Sequence, residues 1–303
     1  MEFTPAYLKM SRHELLERIK RLMEIMRECS LCPRECKAKR FDGELGFCKA
    51  GTELMVSSVF PHFGEEPPLV GKKGSGTIFL THCNLKCVFC QNYDISHLGE
   101  GRITSREEMA FFMIGLQKQG CHNINFVTPT HYCPQIIAAL PKAIDMGLNV
   151  PLVYNCGGYE SLEVIKILDG IIDIYMPDCK FSDDRAAQEY AHAPDYPQVV
   201  KKILKEMHRQ TGDLQINERG IAERGLLIRH LVMPNGLAGT RELMEFIAQE
   251  ISPNSYVNVM EQYHPVYRAC EFPDISRRIT LDEFLEAKKL ALNTGLYRGF
   301  QNT

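Results

Sequence analysis

The sequence predicts an α/β fold: an incomplete (β/α)6 TIM-like barrel behind a small N-terminal Cys-rich module. Three observations lead there. Beyond residue 75, short apolar runs alternate with longer helical patterns. Almost every run ends in side chains able to do chemistry, as the ligand rims of parallel α/β folds do. Four cysteines, Cys29, Cys32, Cys36 and Cys48, precede the alternating part. Two units are therefore expected: residues 1–74, an N-terminal helix with a four-cysteine metal-binding module and connector, and residues 75–303, the barrel. A flat doubly wound sheet is the main alternative.

The elements follow in order. Residues 11–28, "SRHELLERIKRLMEIMRE", place Leu15, Ile19, Leu22, Ile25 and Met26 at helical spacing, with Ser11 and Glu14 set for a capping box. After the cysteine-rich loop comes a strand-like run, "ELMVSSVF", then the connector "PHFGEEPPLVGKKGSG". Its "GKKGSG" differs from a phosphate loop, lacking the Lys-Ser/Thr ending and preceding its strand. Six strand candidates come next: "TIFLTH", "NINFVT", "VPLVYN", "IIDIYMPD", "GLLIRHLV" and "YVNVME". Helical patterns separate them, and "TLDEFLEAKKLALNTG" closes the chain. Short strands that are apolar throughout belong to a sheet buried on both faces.

Composition narrows the function. The 303 residues are 45% hydrophobic and 24% charged, with a net charge of −3. Neither a basic stripe for nucleic acid nor an eighteen-residue apolar span for a membrane is present. No export signal is recognisable at the N-terminus, so twelve cysteines are expected in a reducing cytoplasm, where clustered thiols bind metal or do redox work.

The segment "THCNLKCVFCQN" holds Cys83, Cys87 and Cys90 directly after the first barrel strand. Structural zinc takes four ligands, usually from paired C-x2-C knuckles, which this segment lacks. Three thiolates on one loop suit a [4Fe–4S] cluster held by three of its irons, the fourth left open to chelate a ligand. Cys29, Cys32, Cys36 and Cys48 instead complete a coordination sphere, which either zinc or a second [4Fe–4S] cluster satisfies. A non-catalytic metal-binding interaction module on a degenerate barrel is the second functional class.

"CNLKCVFC", with Phe89 before its third cysteine, resembles the radical S-adenosylmethionine superfamily. The wider chain resembles its PflX-like subgroup, related to pyruvate formate-lyase activating enzymes, in "CSLCPREC", "EEPPLVGKKGSGTIF", "CQN", "FVTPTHY", "YNCGGYES", "MPDCKF", "IRHLVMPN" and "QYHPVYRA". Two departures stand out. Thr128-Pro129-Thr130-His131 occupies the place of a Gly-Gly-Glu run, and Phe89 stands where activases carry Trp.

The resemblance implies an enzyme whose cluster, bound by Cys83, Cys87 and Cys90, reductively cleaves S-adenosylmethionine to a 5′-deoxyadenosyl radical. That radical abstracts hydrogen from a substrate, with a protein or peptide favoured. A flavodoxin- or ferredoxin-type reductant is implied with it. Candidate cofactor contacts are Phe89; Thr130 toward the amine; Asn155 toward the ribose; Asp178 and Lys180, matching an Asp-x-Lys motif; and Arg229 or His230, of which alternation lets only one face inward. Gly157 and Gly158 would permit close approach. His131, Tyr132, His264 and Tyr267 are rim residues, either structural or lining a substrate site. Cys133, Cys156, Cys179 and Cys270 are either small buried side chains or reactive thiols. Glu65 and Glu66 either face the open end of the barrel or form a solvated turn.

Overall fold

The computed structural model describes residues 3–300; residues 1–2 and 301–303, the outer ends of the two expected units, lie outside the described residues. A nine-stranded sheet carries the fold. Its strands are β1 (Leu54–His62), β2 (Ser75–Leu80), β3 (Arg102–Thr104), β4 (Ile124–Val127), β5 (Leu152–Cys156), β6 (Ile174–Pro177), β7 (Gln215–Ile216), β8 (Ala222–Leu231) and β9 (Tyr256–Met260). The six predicted runs are β2, β4, β5, β6, β8 and β9. They lie side by side in that order, each parallel to the next.

The order runs in one direction and lacks the reversal that defines a doubly wound sheet. β1 and β3 extend the β2 side antiparallel, and β7 pairs antiparallel with the start of β8. The fold is thus a mixed α/β one with a largely parallel sheet. β3 and β7 were not predicted: at three and two residues they are too short to show alternation.

The helices are α1 (Arg12–Ile25), α2 (Pro67–Val70), α3 (Tyr93–Ser96), α4 (Arg106–Lys118), α5 (Cys133–Asp145), α6 (Leu162–Ile167), α7 (Asp184–Ala191), α8 (Tyr196–Thr211), α9 (Thr240–Phe246) and α10 (Leu281–Asn293). α4 and α10 open on complete capping boxes, Ser105 with Glu108 and Thr280 with Glu283. At α1 the expected box is only half made. Ser11 accepts from the Glu14 N–H at 3.1 Å, but the Glu14 carboxylate turns to Arg18 at 2.7 Å.

The boundary expected at 74/75 falls inside one sheet, because β1 pairs with β2 along most of its length. α1 likewise packs on α5 and α6, and the Ala6 N–H donates to Asp173 at 2.7 Å. Buried residues of residues 1–74 and of the parallel part form one core. A second, smaller cluster gathers Val153, Ile174, Met176 and Leu227 under Leu69 of α2. Strand residues of alternate parity join the two clusters, so the parallel strands are covered on both faces.

Candidate functional site

A cavity of about 240 Å³ opens at the C-terminal ends of the parallel strands. Cys83, Cys87, Phe89 and Cys90 line it from the loop after β2; Asn155, Asp178, Lys180 and Arg229 line it from β5, β6 and β8. The first turn of that loop is conformationally unusual. His82 has φ +65, as Thr128 after β4 has φ +61, a left-handed region costly for residues with a Cβ.

The loop is tied to three other segments. The Asn84 side chain donates to the Tyr159 carbonyl at 2.5 Å. The Val88 N–H donates to the Tyr190 carbonyl at 2.9 Å, the Lys86 N–H to that of Ala191 at 3.2 Å, and the Arg268 N–H to that of Val88 at 2.9 Å. Phe89 lies edge-on to Phe181 and Tyr263.

Burial pushes the Cys83 thiol up to about 11 and the Cys87 thiol up to about 12. Left bare, both thiols stay protonated at neutral pH. A bound cationic group is what makes thiolates favourable in such a place. Among the described residues, no three or more His, Cys, Asp or Glu side chains gather round a single metal-ion position.

Beside the thiols lies a buried charge network. Asp178 accepts from Lys180 at 2.6 Å and from Arg229 Nε at 2.9 Å. Arg229 Nη2 donates to Asn155 at 2.8 Å. Glu65 and Glu66 approach the same guanidinium at 3.6 and 3.9 Å, and Glu66 accepts from Asn258 at 3.2 Å. Burial works against the Asp178 carboxylate, but Arg229 and Lys180 outweigh it and hold its pKa low. For Glu65, burial prevails over the pull of Arg229, and with Glu66 and Asp178 nearby its pKa rises to about 7. Glu65 and Glu66 thus belong to a charge network and not to a solvated turn.

Two expected contacts are corrected. Thr130 does not line the cavity. It is fully buried and donates to Glu160 at 2.8 Å, because Pro129 turns the chain and leaves Thr128 at the rim. His230 points away from Arg229, into the core. Its ring nitrogens meet the Cys179 carbonyl at 2.7 Å and the Thr240 hydroxyl at 2.9 Å. Gly158 makes room for protein and not for a ligand: a Cβ there would strike the Asp178 carbonyl.

Among the rim residues, His131 and Tyr132 are buried outside the cavity lining, His264 contacts Gln91 at 3.5 Å, and Tyr267 stacks on Tyr93. Cys156 lines the cavity, Cys133 and Cys179 are buried outside its lining, and Cys270 is exposed. Sequence reasoning gave Glu160 no role. It accepts from Thr130 and, at 3.0 Å, from Tyr154, and burial raises its pKa to about 7. It stood inside the quoted "YNCGGYES", but its partners are set by the fold.

The N-terminal cysteines sit against the same rim. Cys29, Cys32 and Cys48 are buried and Cys36 is exposed. Crossed backbone bonds, Cys29 N–H to Ala38 and Lys37 N–H to Cys29, fold the segment on itself. Arg40 reaches Cys48 Sγ at 3.5 Å and the His131 carbonyl at 2.8 Å. Arg34 donates to the Asn84 carbonyl at 3.1 Å while lying 3.9 Å from the Phe47 ring centre, which links this segment to the three-cysteine loop.

No family model matches the chain. Among solved structures, a Streptococcus suis SuiB crystal structure bound to precursor peptide SuiA aligns with TM-score 0.48 and 12% identity, covering 70% of this chain and 44% of that one. HydG, a maturase of the [FeFe]-hydrogenase, aligns with TM-score 0.45 and 14% identity, covering 73% and 49%. The cobalamin-dependent S-adenosylmethionine radical enzyme OxsB aligns with TM-score 0.40 and 13% identity, covering 73% and 31%. The chain spans less than half of each of those chains.

Two curated relatives come from Methanocaldococcus jannaschii. Uncharacterized protein MJ0808 is 24% identical over 288 residues, 88% of this chain and 78% of its own length. Uncharacterized protein MJ0674 is 35% identical over 277 residues, 88% of this chain and 75% of its own length. With that identity sustained over so much of both sequences, this chain belongs to the same family as MJ0674.

Proposed function

We propose that this protein is a radical S-adenosylmethionine enzyme built on a partial (β/α)6 barrel. The observation carrying the reading is the convergence of three cysteines of one loop with Asn155, Asp178, Lys180 and Arg229 in a single cavity at the strand ends. Cys83, Cys87 and Cys90 would hold a [4Fe–4S] cluster. Three thiolates from one short loop suit such a group, which takes each on a different iron. When bound, the cluster supplies the electron that cleaves S-adenosylmethionine reductively.

The chain's own residues do the rest. Phe89, wedged between Phe181 and Tyr263, stiffens the loop and walls the cavity with an aromatic face. Asn155 and Arg229 present donors suited to hydroxyl and carboxylate oxygens, and Asp178 presents an acceptor suited to an ammonium. Lys180 and Arg229 keep Asp178 ionised for that task. Apolar Leu80, Val127, Leu231 and Met260 complete the lining and exclude water.

Cys29, Cys32, Cys36 and Cys48 would hold a second [4Fe–4S] cluster or zinc. Hydrogen abstraction from a protein or peptide, with an electron from a flavodoxin- or ferredoxin-type donor, rests on the resemblance to activating enzymes. The outer edge of β9 supports it: among the described residues it is bridged only at Tyr256, by Arg298.

Electron paramagnetic resonance tests the site. Protein reconstituted with iron and sulfide and then reduced should give a cluster signal that changes on adding S-adenosylmethionine. A spectrum indifferent to the added compound contradicts the assignment.

A further inference from the structure

We propose that the opposite end of the sheet carries a second site, a cationic cleft that takes a phosphate-bearing small molecule. The cleft encloses about 640 Å³, within the range of small-molecule pockets. Its walls come from Gly71–Lys73 before β2, His122 before β4, Pro151 before β5, and the turn between β7 and β8 with the first residues of β8. All of these precede or begin parallel strands, so the cleft lies at the N-terminal ends, away from the cysteines. It also gives "GKKGSG" a place that its mismatch with a phosphate loop left open.

Three observations define the ligand. Lys72, Lys73 and Arg219 face the cleft from two separate segments, and among the described residues their side chains make no ion pair or hydrogen bond. The lining carboxylate, Glu223, is already engaged by the Asn217 side chain at 2.8 Å. Asn217 also accepts from the Arg219 and Ile221 N–H groups at 2.9 and 3.1 Å, which presets the turn that presents Arg219.

His122 supplies the second observation. Its Nε2 is buried without a hydrogen-bond partner, and burial keeps the ring neutral. The Gly71 turn lies flush against it: φ there is +46, and an added Cβ would sit 2.7 Å from His122 Nε2 and overlap Ile221. The third observation is the apolar wall of Phe3, Pro151 and Ile221, which suits a ring carried beside the phosphates.

Calorimetric titration of the full chain with ADP and, separately, with inorganic pyrophosphate tests the site. Saturable ADP binding is expected. It should weaken by about tenfold or more in Lys72→Ala/Lys73→Ala and in Arg219→Ala, the loss of one or two charge-assisted contacts. These surface substitutions should leave the melting temperature unchanged. Pyrophosphate binding as tightly as ADP assigns the affinity to the phosphates; weaker binding assigns the remainder to the apolar wall. Saturating S-adenosylmethionine should leave the ADP dissociation constant unaltered. The proposal is overturned by no saturable binding of either probe, by binding that both variants preserve, or by competition from S-adenosylmethionine, which would place ADP in the cysteine cavity.

Discussion

Arg229 is met by carboxylates from two directions, Asp178 just past the neighbouring β6 and Glu65 with Glu66 on the connector. Removing a buried cation strands the charges it compensates. Arg229→Ala is expected to cost roughly 3–5 kcal/mol in urea unfolding, and Arg229→Lys distinctly less. Equal stabilities for the two variants would contradict the network.

Glu160 makes a pH prediction. Its pKa rises from 4.5 to about 7 on folding, chiefly through burial. The stabilisation it gives is therefore complete below pH 4.5 and is lost as pH climbs through about 7. Glu160→Gln should remove that part of the slope, on the order of 2–3 kcal/mol. An unchanged slope between pH 4.5 and 7.5 would show that Glu160 titrates normally.

Much of the site was legible at this scale. Cysteine spacing marked the loop, strand-end position marked Asn155, Asp178 and Lys180, and Arg229 was singled out inside the fifth run. Thr130 and His230 were misplaced because one residue along a strand or turn reverses the direction of a side chain. The partners of Arg229 on the connector were out of reach, since nothing in the spacing brings residues 65 and 229 together.

Among the elements, the loop after β2 matters most. Its shape depends on carbonyls and N–H groups of distant segments, and the Asn84 side chain anchors it to the Tyr159 carbonyl beyond β5. Asn84→Ala should raise amide exchange over residues 83–90 while lowering global stability by only about 1 kcal/mol. Exchange equal to wild type would mean that the backbone ties suffice. At the other end of the chain, Thr280→Ala should cost α10 about 1 kcal/mol, read as a fall in melting temperature.

The six parallel strands were readable from apolar runs, and the longer helices from the helical patterns between them. β3, β7, α2 and α3 were not, since each spans four residues or fewer and shows no period. The unmade half of the α1 capping box has a similar cause: Arg18, one turn on, takes the carboxylate that the box requires.

Over the whole molecule, the strand order lacks the reversal of a doubly wound sheet. Six parallel strands in chain order keep every crossover turning the same way. The boundary expected at 74/75 rested on the cysteine-rich loop and the Pro/Gly-rich connector; β1 pairs with β2 across it, and α1 packs on α5 and α6. Cys29→Ala is accordingly expected to lower the melting temperature of the whole protein, because that residue sits in the shared core. Loss of bound metal with an unchanged melting temperature would instead show the segment to be an attached redox site.

The central claim is that the loop after β2 holds a cluster able to cleave S-adenosylmethionine. Anaerobic incubation of reconstituted protein with dithionite and S-adenosylmethionine tests it directly, with 5′-deoxyadenosine as the product measured. The wild-type chain should form it, and Cys87→Ala, loaded and assayed alike, should form none. Absence of 5′-deoxyadenosine from iron-loaded wild type, or equal amounts from the variant, would contradict the account.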